Sequence, residues 1–214
     1  YSGSSETQIQ QDIQLIRDNL EKNISFTDTL EEIMKISLTK DFWAINLTNA
    51  LDSSGAAGNY AFSAYTASQV LLGAKSLYTD MRISDLLDKE RSGILELLEY
   101  HHLYPASYLK NSGYTRIQEY NARANFQLIS SKYNREISDE SPKEYHKRYI
   151  SSVSKSKIKE MLDLNALWEG WEEEDYNSFL QKRREHIAKI IKNGWATVSG
   201  GNIKEAKIVL EEKK

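Results

Sequence analysis

A short apolar run, Ile94-Leu95-Glu96-Leu97-Leu98, passes through Glu99 into Tyr100-His101-His102-Leu103-Tyr104-Pro105. Proline has no backbone N–H to give to a ladder, so regular pairing must stop by Pro105. An apolar stretch this short and so bounded fits a strand better than a helix. Its end carries two of the chain's four histidines side by side. On the pair alone two readings stand. In one, a histidine is a hydrogen-bonded core residue and its neighbour faces solvent. In the other, the strand end delivers one imidazole to a metal ion and the next to a water molecule. Successive strand side chains point to opposite faces, so a shared site requires the strand to end or twist at the pair.

The residues that follow bear on this choice. Asn121-Ala122-Arg123-Ala124-Asn125 leads into Phe126-Gln127-Leu128-Ile129, an apolar run suited to a second strand. Ser130 and Ser131 supply capping chemistry for a short helix, Lys132-Tyr133-Asn134-Arg135-Glu136. A strand end and the first turns of a helix packed across it can approach closely. His101 would then offer a nitrogen, and Asn134 an amide oxygen, to one divalent ion. Any metal must be held by such groups, because the chain has no cysteine.

YHHLYPASYLK, followed by NARANFQLISSKYNREISDESPKEY, resembles the HNH (ββα-metal) nuclease unit in the C-terminal half of GmrSD-type restriction endonucleases, which guard bacteria against phage DNA. The similarity runs from about Ile83 to Tyr145, with a weaker echo at Phe179-Leu180-Gln181-Lys182-Arg183-Arg184. The resemblance implies His101 and Asn134 as metal ligands and His102 as general base. It places Asn125 where these enzymes keep an asparagine that braces the loop or the base, and gives Asn121 a loop-holding role. It also implies Mg²⁺ or Mn²⁺, with Ni²⁺ or Zn²⁺ competitive at an imidazole ligand. A ParB-like nucleotide-hydrolysing domain is the expected partner in the full-length protein. Tyr1-Ser2-Gly3-Ser4-Ser5 reads as a processed end or a cut made inside a longer chain, in keeping with that expectation.

The net charge of −3 gives no global argument for nucleic acid, but its distribution does. Residues 101–160 hold 11 Lys and Arg against 6 Asp and Glu, while the rest holds 17 against 25. A basic middle between acidic flanks suits a polyanion site; a lysine-rich solvated face has the same composition. Lys110, Arg116, Arg123, Lys132 and Arg135 surround the expected site and are candidates to grip a DNA backbone.

Around this unit the chain reads as helices. Ile9, Ile13, Ile16 and Leu20 recur at helical spacing, broken by Asn23-Ile24-Ser25; a second helix is expected over 27–34. A third apolar segment begins at Asp41, and a long helix is expected over 60–78. Ser141-Pro142 opens another helix, 155–164 continues, and Asp175 starts one that Asn193-Gly194 should stop. The tail 203–210 is strand or helix. His146 is expected on a surface helix, His186 in solvent, and Lys182-Arg183-Arg184 on a solvated helix face.

The expected fold is mainly α: a helical domain around a small ββα-metal core, with an N-terminal helical region over 1–90, the core over 91–140 and a helical extension over 141–214. With 40% hydrophobic and 28% charged residues the composition is that of a globular protein. No apolar run reaches the roughly 18 residues of a membrane span, and a cytoplasmic location is expected. The functional expectation is a metal-dependent DNA endonuclease or nickase. The alternative is a non-catalytic helical module, binding DNA or a partner, with a vestigial nuclease core; a nuclease acting on RNA is a third reading.

Overall fold

The computed structural model describes residues 5–55, 60–88 and 97–199. They fall into two units, divided between Asn46 and Leu47. The first contains α1 (Ser5–Glu21) and α2 (Phe26–Ser37). Asn23, at φ 59°, makes the break between them, and Ser25 caps α2 by accepting the Asp28 N–H. The third apolar segment forms a π-helical stretch, Phe42–Asn46.

The second unit is mainly helical, with a two-stranded sheet. Its elements are α3 (Leu47–Ala50), α4 (Tyr60–Leu71), α5 (Ile83–Leu87), β1 (Leu98–His102), α6 (Ala106–Asn111), α7 (Ile117–Tyr120), β2 (Phe126–Ser130), α8 (Ser131–Ile137), α9 (Pro142–Ile150), α10 (Lys155–Leu164) and α11 (Tyr176–Val198). The expected helix over 60–78 ends at Leu71. Gly73 takes φ 71° there, and the Ala74 N–H turns back to the Gln69 carbonyl at 2.8 Å. The predicted run 94–98 is described only from Leu97, and residues 94–96, like the tail 203–210, lie outside the described residues.

β1 and β2 pair antiparallel, with His101 opposite Gln127 and His102 opposite Phe126. All five residues of β2 are buried, as befits a strand covered on both faces. Ile129 joins an aromatic core that includes Tyr104, Tyr145, Trp171 and Phe179. Gln127, two residues earlier, enters a buried polar network. It donates to Asn165 Oδ1 at 2.9 Å, and its own Oε1 accepts from Tyr65 at 3.0 Å and from Arg183 at 2.7 Å.

Arg183 is therefore not on a solvated face. It is fully buried, and its guanidinium also donates to the carbonyls of Asn165 and Ala166. Carbonyl dipoles replace the lost water, while burial holds its pKa below the usual arginine value. The flanking Lys182 is exposed, and Arg184 is paired with Asp52. Two histidines also depart from expectation. His146 is buried, its Nδ1 hydrogen-bonded to the Tyr78 hydroxyl at 2.8 Å, and His186 is half-buried against the Trp168 ring.

α11 does not stop at Asn193-Gly194 but runs on to Val198. Gly194 serves as a contact point: a Cβ there would lie 2.5 Å from Ser68 Cβ and 2.8 Å from Ser68 Cα. The absent side chain lets α11 and α4 cross at close range, and tertiary packing overrides the local stop signal.

Candidate functional site

The site grows from the end of β1. Leu103 N–H donates to the Asn125 carbonyl at 2.8 Å, where the ladder gives way to a turn. The fully buried Asn125 side chain then clamps that turn. Its Oδ1 accepts from Tyr104 N at 2.8 Å, and its Nδ2 donates to the carbonyls of Tyr104 and Tyr120 at 2.9 and 3.1 Å. Tyr145 adds a 2.6 Å hydrogen bond to the Leu103 carbonyl. Pro105 is buried beside the turn and precedes the first turn of α6. The strand end is thus held from several directions, so the histidines on it have little freedom.

Alternation then parts the two imidazoles. His101 is buried, and its Nδ1 lies 2.8 Å from Asn134 Oδ1 in the first turns of α8. His102 is half-buried and lies over the Phe126 ring with centroids 4.3 Å apart; its Nε2 is 2.8 Å from Asn121 Oδ1. His101 is therefore brought together with Asn134, and His102 with Asn121. The Asn125 side chain is taken up by Tyr104 and Tyr120 instead.

Amide orientation follows from the partners. Asn134 Nδ2 donates to Glu99 Oε2 at 2.7 Å, and an ionised carboxylate only accepts, so Oδ1 is the atom turned to His101. With Asn121 Oδ1 as the facing atom, the proton of neutral His102 sits on Nε2 and the lone pair on Nδ1. Burial pushes the His101 pKa down to about 4, against a weaker upward pull from the Asn134 hydrogen bond. Burial also lowers that of His102, offset in part by Asn121. Both rings are uncharged at neutral pH, the state required of a metal ligand and of a general base.

No family model, curated protein or solved structure matches this chain.

Whether the donors suit a divalent ion can be judged from spacing and chemistry. Adjacent ligands of an octahedral ion with bonds of ~2.1 Å lie about 3.0 Å apart. The 2.8 Å between His101 Nδ1 and Asn134 Oδ1 is the length of the hydrogen bond that joins them, and it is close to that separation. Among the described residues there is no cluster of three or more His, Cys, Asp or Glu side chains of metal-binding form. The donor set here is one imidazole and one amide, with the Glu99 carboxylate behind the amide. A nitrogen and an amide oxygen fit an ion that keeps water and phosphate oxygens as its other ligands.

The five basic candidates differ in placement. Lys110, Lys132 and Arg135 are exposed, Lys110 over the Tyr120 ring at 4.6 Å. Arg116 is exposed but paired with Glu119 at 2.7 Å. Arg123 is buried and directs its guanidinium to Ser53 Oγ and the Ser54 carbonyl. Sequence reasoning missed two contributors, Glu99 as partner of Asn134 and Asn121 as partner of His102. Glu99 could have been found, since it lies two residues before His101 and so on the same strand face.

Among the described residues no helix is long and apolar enough to cross a membrane.

Proposed function

We propose that this chain is a divalent-metal-dependent DNA endonuclease or nickase with a ββα-metal (HNH) core. On this reading it is the nuclease part of a larger, cytoplasmic anti-phage restriction protein of GmrSD type, whose ParB-like domain lies elsewhere in that protein. The observation that carries the reading is the convergence of a strand-end imidazole and a helix amide: His101 Nδ1 and Asn134 Oδ1 lie 2.8 Å apart. The next residue along the strand is a second, neutral imidazole hydrogen-bonded to its own amide; because alternation parts the two rings, the reading places the scissile phosphate across the strand end, between them.

Phosphodiester hydrolysis needs an activated water in line with the leaving 3′ oxygen and positive charge where negative charge builds. His101 and Asn134 are the residues that would hold the cation, Mg²⁺ or Mn²⁺ first. When bound, it supplies Lewis-acid stabilisation to the scissile phosphate and the leaving oxygen. In this structure the Nδ1–H of His101 donates to Asn134 Oδ1; to act as ligand the ring would give up that hydrogen bond, carry its proton on Nε2 and present the Nδ1 lone pair. His102 takes the proton of the attacking water at Nδ1 while Asn121 holds Nε2–H and with it the ring's orientation. Asn125 enters as the brace of the turn that carries both histidines. The products are 5′-phosphate and 3′-hydroxyl ends. Lys110, Lys132 and Arg135 provide exposed positive charge for the DNA backbone.

Plasmid nicking, with and without EDTA, tests the reading on the intact chain and on His102→Ala. The expected outcome is EDTA-sensitive nicking that falls about 10²- to 10⁴-fold in the variant. Equal activity in the two proteins, or none in either with several metals, would overturn it.

A further inference from the structure

We infer that Glu99 is the charged member of the cation site, acting as a positioning residue through Asn134. The inference rests on the nuclease reading above. It begins with an imbalance of charge. His101 offers a neutral imidazole and Asn134 a neutral amide, so the two donors that face each other bring no negative charge to a divalent cation. Sites built of neutral donors hold hard cations weakly, and carboxylates are what such ions select.

Glu99 repairs this from one strand period away. It precedes His101 by two residues on β1, so both side chains leave the same face of the sheet toward α8. Its Oε2 accepts from Asn134 Nδ2 at 2.7 Å. Among the described residues it is the carboxylate hydrogen-bonded to this His101–Asn134 pair. The bond does two things at once. It prevents the amide from turning over, which would point an N–H₂ group, itself a donor, at the position a cation needs. It also draws electron density toward Oδ1, the charge-assisted hydrogen bond making that oxygen a better ligand. The carboxylate's own field reaches the same position.

Glu99→Gln and Glu99→Ala separate these effects. Glutamine keeps an acceptor for Asn134 Nδ2 and removes only the charge; alanine removes both. Mn²⁺ binding is measured by titration calorimetry on the DNA-free chain, with thermal unfolding in EDTA as the control for folding. The expected result is a Kd for Mn²⁺ weakened roughly tenfold in Glu99→Gln and up to about a hundredfold in Glu99→Ala. Melting temperatures in EDTA should stay near that of the unaltered chain. Saturating Mn²⁺ should raise the melting temperature of the unaltered chain more than that of either variant at the same concentration. Unchanged Mn²⁺ affinity in Glu99→Gln and Glu99→Ala, beside an unaltered chain that binds, would overturn the role of Glu99 alone and leave the nuclease reading standing. An unaltered chain that binds no Mn²⁺ would overturn both.

Discussion

His102 Nε2 and Asn121 Oδ1 lie 2.8 Å apart, although Asn121 belongs to the segment leading into β2 and His102 ends β1. The contact decides which nitrogen of the neutral ring holds the proton, and so which one is left basic. Asn121→Ala should therefore lower the nicking rate by about 10- to 100-fold, the usual effect of losing a partner that orients a reacting histidine. Mn²⁺ affinity should be unchanged, because Asn121 does not touch His101 or Asn134 through any hydrogen bond. Rate measured beside cation binding separates this from a general loss of the site, which would lower both.

The basic candidates make a second prediction, about salt. Each phosphate neutralised by Lys or Arg adds roughly 0.9 to the slope of log K against log salt on duplex DNA. Lys110, Lys132 and Arg135 are exposed, so replacing all three with alanine should reduce that slope by about 2 to 3. Arg123→Ala should instead lower thermal stability with little change in slope, because its guanidinium holds Ser53 and Ser54. Fluorescence anisotropy across a salt series gives the slopes.

The sequence carried the core of this arrangement because local signals and tertiary structure agree there. β1 ends at His102, ahead of Pro105, the apolar run 126–129 lies in β2, and Ser130 stands at the N-cap of α8, though without the expected side-chain cap hydrogen bond, so the facing of His101 and Asn134 could be anticipated from spacing. Capping chemistry is realised at Ser141 and Asp175, whose side chains accept N-terminal N–H groups. What failed were polar residues with distant partners. Arg183 lies in a run of three basic residues, and nothing local distinguishes it from Lys182. Its burial follows from carbonyls at 126, 165 and 166 and from Gln127, which the chain brings to it only in the folded state. His146 is hidden in the same way by Tyr78, 68 residues earlier.

That buried histidine predicts a pH dependence of stability. Burial pushes the His146 pKa down to about 4, from an ordinary 6.5. Above pH 6.5 the ring is neutral in both states and the folded state keeps its full advantage. As pH falls from 6.5 toward 4 the unfolded chain takes up a proton that the folded chain refuses, and stability declines. For one such group the loss is on the order of 3 kcal/mol across the window. The Tyr78 hydroxyl is hydrogen-bonded to Nδ1, the Trp171 ring packs on the imidazole, and Glu172 Oε2 lies 4.0 Å from Nε2. The Glu172 pKa is raised, first by burial, so its carboxyl works in the opposite sense near the foot of the window. The comparison is therefore between the unaltered chain and His146→Gln. Urea midpoints measured from pH 7 to pH 4 should fall less steeply in the variant, and parallel curves would show that His146 does not bear this load.

Gly194 yields the last prediction, in which two opposing effects can be weighed. In a helix interior, alanine is favoured over glycine by roughly 1 kcal/mol, so propensity alone makes Gly194→Ala stabilising. The new methyl, however, would lie 2.5 Å from Ser68 Cβ and 2.8 Å from Ser68 Cα, and also meets Ser68 Oγ. Backbone cannot move aside as a flexible side-chain end can, so α4 and α11 must shift apart along a buried seam. Overpacking of this kind costs about 1–3 kcal/mol, and contacts to backbone belong at the upper end. The clash should outweigh the propensity, giving a net loss of about 1–2 kcal/mol in chemical denaturation. Ser68→Gly removes the Cβ and Oγ that meet the methyl but leaves Cα in place. Within the Gly194→Ala background it should therefore restore part of the loss, less the cost of a glycine inside α4. A double-mutant cycle measures the coupling directly, and strict additivity would place the strain of Gly194→Ala somewhere other than the crossing with Ser68.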